Sequence, residues 1–121
     1  MKPEAQRIAI AKACGWKFEG TPKTGITVIQ PNGEKELGIA HSWTVALWHI
    51  PDYLSDLNAM HEAEETLTDH QRLKFWGALC SVTKAAEVGI EGGCFSFVGA
   101  HATAAQRAEA CLRTIGKWEQ P

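Results

Sequence analysis

The sequence predicts a small α/β fold, an α-β-α sandwich with helices packed on both faces of a short antiparallel or mixed sheet. Three observations carry that expectation. Apolar residues recur at helical spacing near the start, through the middle and at the end of the chain. Short runs rich in β-branched and aromatic residues, "WKF", "ITVI" and "CFSFV", lie between them. Clusters of Gly, Pro and Asn separate the two kinds of segment. With 121 residues, the chain is expected to form a single domain over 1–121.

Residues 3–14 read as a short helix. Pro3 suits the first turn, Ala5, Ile8, Ala9 and Ala13 give an apolar side, and Gly15 is a natural stop. "WKFEG" is extended, with Trp16 and Phe18 on one side, and "GTPKTG" is a turn cluster. "ITVIQ", "PNG" and "EKELGI" form a hairpin in which Asn32-Gly33 supplies the positive φ angles. In "AHSWTVALWHI", Thr44, Val45 and Trp48 suit a strand while Trp43, Leu47 and Ile50 match helical spacing; the segment is read as a strand.

Pro51 and Asp52 open a helix whose seam runs through Tyr53, Leu57, Met60, Glu64 and Leu67. Thr68 and Gln71 make a capping box for the next helix, whose stripe is Leu73, Trp76, Cys80 and Thr83 and which Gly89 ends. A strand at 94–98 follows the "EGG" turn. Thr103 and Gln106 form a second capping box, and the last helix carries Ala104, Ala108, Cys111, Ile115 and Trp118.

A net charge of −2, with 45% hydrophobic and 21% charged residues, argues against the basic surface that grips DNA or RNA. Any anion site must be local and small. No apolar run approaches a membrane span and no signal-peptide core opens the sequence, so a cytosolic protein is expected, with no nucleic-acid polymer or membrane as partner. Cys14, Cys80, Cys94 and Cys111 form no C-x-x-C pair and read as buried free thiols. The five tryptophans are many for this length, and indole is the best flat surface a protein offers for stacking on a base.

Catalytic signatures are not apparent. The serines lie in no nucleophile elbow, "GIEGGCF" lacks the spacing of a phosphate-binding loop, and "HEAEE" places His61 and Glu65 four apart without completing a metal motif. No catalytic residue, cofactor or metal is assigned.

Both Arg72 and Arg107 occupy the Thr-x-x-Gln-Arg arrangement, in the first turn of a helix where the dipole favours an anion. His101 and Arg107 beside the Thr103 cap could clamp a phosphate, as could Thr68, His70 and Arg72. Stacking by Trp43, Trp48 or Tyr53 would complete a nucleotide pocket. A domain this small has little room to enclose a dinucleotide, which favours a pocket between subunits of a homo-oligomer.

"IAKACGWKF", "IPDYLSDLNAMHEAEETL" and "HATAAQRAEACLRTIGKW" together resemble the phage ABA-sandwich domain proteins. The match touches both ends and the middle, through packing and capping motifs; "HSWTVALWHI" and "QRLKFWGALCSVTK" follow the family pattern less closely. The resemblance implies a phage protein of the host cytoplasm. It further implies a non-enzymatic sponge against cyclic-oligonucleotide antiphage signalling (CBASS), binding a cyclic dinucleotide such as cyclic GMP-AMP without cleaving it. On that reading the ligand-binding residues are Trp43, Trp48, Tyr53, Arg72, His101, Thr103 and Arg107. The alternative is a phage accessory module that binds a host protein through exposed aromatics.

Overall fold

The structure, a computed structural model, describes residues 1–36, 38–83 and 101–120. Among them are five α-helices, a 3-10 turn and a two-stranded antiparallel sheet, which makes a small α/β fold. The expected strand at 94–98, the Gly89 stop and Cys94 lie outside the described residues.

Helix α1 spans Pro3–Ala13 and begins on its proline, whose missing amide costs nothing in a first turn. It ends where Gly15 adopts φ 100°, so that the amides of Gly15 and Trp16 turn back onto the carbonyls of Lys12 and Ala11. Strand β1 (Lys17–Glu19) pairs with β2 (Thr27–Ile29) in the register Lys17↔Ile29, Phe18↔Val28, Glu19↔Thr27. The hairpin expected after β2 is present as single bridges, Ile29↔Lys35 and Ile26↔Ala40. At its tip Gly33 has φ 90° and the Asn32 side chain accepts from the Glu34 amide.

The 40–50 segment corrects the strand expectation. Helix α2 covers Trp43–Ala46 and a 3-10 turn continues over Leu47–His49. The decisive residue is Ser42, whose Oγ accepts from the Val45 amide and caps the turn. Arg7 then holds the irregular chain that follows: its Nη2 donates to the carbonyls of Leu47 (2.9 Å), Ile50 (3.3 Å) and Pro51 (3.4 Å).

The next helix also starts later than the sequence suggests. Residues 53–55 form a turn, and α3 runs Leu57–Glu64 from an Asp56 cap whose carboxylate accepts from the amides of Asn58 and Ala59. Its buried side is Ala59, Met60 and Ala63, and Leu57 is exposed. Helix α4 (Asp69–Thr83) opens on the expected box, with reciprocal bonds between Thr68 and Gln71. Its buried stripe is Phe75 and Leu79; Leu73, placed in the stripe from spacing, is 75% exposed. Helix α5 (Ala104–Thr114) opens on the Thr103–Gln106 box and buries Ala104, Arg107, Ala108, Ala110, Cys111 and Leu112.

The core lies chiefly among helices. α5 packs on α1, α3 and α4, and Ile10, Met60, Phe75, Leu79 and Leu112 are the large side chains sealed between them. Small residues at 104, 108 and 110 allow α5 to sit close to three neighbours at once. No described helix is long and apolar enough to cross a membrane.

Candidate functional site: a cleft between Arg72 and Trp76

The end of α3 and the first turns of α4 bound a surface cleft of about 290 Å³, lined by Glu64, Glu65, Leu67, Arg72, Phe75 and Trp76. Arg72 and Trp76 are four residues apart on α4, so both lie on one side of that helix. The Arg72 side chain is exposed and its Nη2 donates to the Glu65 carbonyl at 3.3 Å. Phe75 and Trp76 meet edge to face, 5.5 Å between centroids, which fixes the indole against the core side of the cleft.

Behind this cleft lies Arg107. It is 3% exposed, and its Nη1 donates to Glu64 Oε1 at 2.7 Å. The guanidinium also stands 6.0 Å from the Trp76 ring centroid. Its place in the first turn of α5 therefore has an internal explanation: α3 delivers a carboxylate to it across 43 residues of sequence. Burial pushes the Glu64 carboxyl above its ordinary range, and the neighbouring Arg107, with His61, draws it back only in part. Glu64 Oε2 is buried without a hydrogen bond among the described residues, consistent with that direction.

The two Thr-x-x-Gln-Arg arrangements thus converge on one place. Arg72 forms a wall of the cleft, and Arg107 contacts Glu64 and Trp76, which form others. Among the described residues two arginines and two carboxylate side chains, Arg72, Arg107, Glu64 and Glu65, meet there.

The remaining residues chosen from sequence lie elsewhere. The Thr103 hydroxyl is engaged by the Gln106 amide at 3.1 Å, and His101 is exposed two positions before it. Trp43 is half-buried, edge-on to Phe18 at 5.6 Å. Tyr53 is buried in the core, and burial followed by the adjacent Cys14 pushes its hydroxyl up. Trp48 projects from the 3-10 turn and is 76% exposed. None of Trp43, Trp48 and Tyr53 lines the cleft. Trp76, Glu64 and Glu65 were missed as site residues. The available signal was the i, i+4 spacing of Arg72 and Trp76, whereas the Glu64–Arg107 pairing has no local signature.

Trp48 is accompanied by a second exposed apolar residue in the same part of the chain, Ile39 at 62%. The segment between them is closed by Glu36 and His49, whose Oε2 and Nδ1 are 3.7 Å apart. Compared with family models, curated proteins and solved structures, the chain matches none of them.

Proposed function

We propose that this chain is a non-enzymatic interaction module that docks on a protein partner through Trp48, in the cytoplasm of the cell that contains it. The observation that carries the reading is the 76% exposure of an indole on a short 3-10 turn that continues the Ser42-capped helix α2. An aromatic residue buries roughly 150–250 Å² when fully covered. At about 25 cal/mol per Å², covering the exposed part of Trp48 would contribute on the order of 3 kcal/mol to association. Exposed aromatic anchors of this kind dominate many interfaces, and the Arg7 and Ser42 contacts hold the turn in place before any partner arrives.

The test is retention of a host protein on the immobilised chain, measured for the native sequence and for Trp48→Ala. A stoichiometric partner retained by the first and lost by the second supports the reading. Equal retention by both would sink it, provided the variant melts at the native temperature.

A second reading, a phage sponge for a cyclic dinucleotide, is favoured by one feature: Arg72 and Trp76 share a cleft in which one could meet a phosphate while the other stacks on a base. Glu64 and Glu65 in the same cleft oppose an anion, which places this reading second. Purified chain would be incubated with a panel of cyclic dinucleotides, separated from free ligand and denatured. Intact nucleotide recovered from the native chain, but not from Arg72→Ala, would support a sponge. No depletion from the panel removes it.

A further inference from the structure

Helix α1 carries apolar side chains on two sides. Ile10 and Ala11 are sealed in the core. On the other side Ala5, Ala9, Lys12 and Ala13, with Ile8 leaning partly into the core, line a groove of about 570 Å³ whose opposite wall is Met1 and the Ile115, Lys117 and Glu119 side chains after α5. Ala5 and Ala13 are exposed, and Ile8 and Ala9 are half-buried. A solvent-facing helix side ordinarily carries charges. Here alanines predominate, and side chains this small let a second helix approach to about 8 Å.

The charges on α1 say which helix fits. Glu4 and Lys12, both exposed, stand four residues before and four residues after Ile8. At 1.5 Å per residue they are roughly 12 Å apart along the axis. Equal displacement with opposite sign is self-complementary for an antiparallel neighbour of identical sequence. A two-fold axis through Ile8 lays Glu4 of each copy against Lys12 of the other, with Ala5, Ile8 and Ala9 between them.

We propose that two copies of this chain associate through the outer face of α1, antiparallel and centred on Ile8. This does not rest on the Trp48 reading, because Trp48 does not line the groove, although Glu4 at its edge also accepts from Thr44 Oγ1 on α2.

The test is sedimentation velocity of the full chain from micromolar to sub-millimolar concentration. The expected result is a mass that rises with concentration to twice that of the monomer. Ala5→Lys changes an exposed helical position, so the fold is retained while bulk and charge enter the contact. It should weaken association at least tenfold. Glu4→Lys should do the same by opposing Lys12, and adding Lys12→Glu to it should restore association, because exchanging both charges regenerates the pairs. Thermal melts of each variant show whether the Thr44–Glu4 hydrogen bond (3.3 Å) matters to the fold. A monomer at every concentration overturns the proposal. So does a dimer indifferent to Ala5→Lys, or a double charge exchange that fails to restore what Glu4→Lys removes.

Discussion

Replacing Arg107 by alanine should damage the fold, because this arginine is an internal counter-charge. It is 3% exposed and its partner Glu64, with a side chain 16% exposed, would be left without its cation. Breaking a buried pair from one side costs about 3–5 kcal/mol. Residual water at Glu64 relieves part of this, so a loss of about 3 kcal/mol is expected near pH 7. For a chain of this length that lowers the melting temperature by roughly 10–15 °C. Urea unfolding followed by tryptophan fluorescence would measure it, with Trp76 reporting from beside the lesion.

The pH dependence has a definite sign. Burial already holds the Glu64 carboxyl above its ordinary value of 4.5, and loss of Arg107 pushes it higher. Below 4.5 the group is protonated in both folded and unfolded chains and adds no penalty. As pH rises from there through the folded value, the unfolded chain releases its proton first and stability falls. The deficit of Arg107→Ala relative to the native chain should therefore be smallest near pH 4 and widen towards neutrality. Pairing Arg107→Met with Glu64→Leu should recover most of the loss, since it removes both charges together. A variant within about 0.5 kcal/mol of the native chain at pH 7, or a deficit that grows on acidification, would refute the assignment.

Other consequences are simpler to test. Thr68→Ala and Thr103→Ala should each cost about 1 kcal/mol by removing one half of a capping box, and their effects should add because they start different helices; a denaturant series on the single and double variants checks both points. Burial, assisted by Cys14 and Glu64, pushes the Cys111 thiol up to about 12, and burial likewise raises Cys14. A disulfide reagent at pH 8 should therefore leave both thiols largely unmodified in the folded chain, and peptide mapping should find them labelled once urea is added.

The helix starts that sequence identified well are those with a reciprocal local signal. Thr68–Gln71 and Thr103–Gln106 are complete within four residues, and both boxes form. Gly15 ends α1 for the same reason, since only one backbone position needs its conformation. Intrinsic preference misled the reading at 43–49, where Thr44, Val45 and Trp48 favour a strand but a single Ser42 hydrogen bond and packing of the 3-10 turn against α1 decide otherwise. On α4 the spacing 73, 76, 80 and the spacing 75, 79 are both helical; only the position of neighbouring helices selects the second. Arg107 shows the limit most clearly. The small apolar residues around it, Ala104, Ala108 and Cys111, could have marked a buried side, but a partner 43 residues away leaves no trace in local spacing.

The three carbonyls gathered by Arg7 tie the timing of two motions together. Leu47, Ile50 and Pro51 lie on a stretch with little hydrogen-bonded ladder of its own, so its order is borrowed from the first helix. When α1 lifts from the core, that stretch loses its anchor in the same event. The amides of α1 and of residues 50–56 should then exchange with deuterium as one cooperative group, and Arg7→Ala should split them into two, with the loop amides exchanging much the faster.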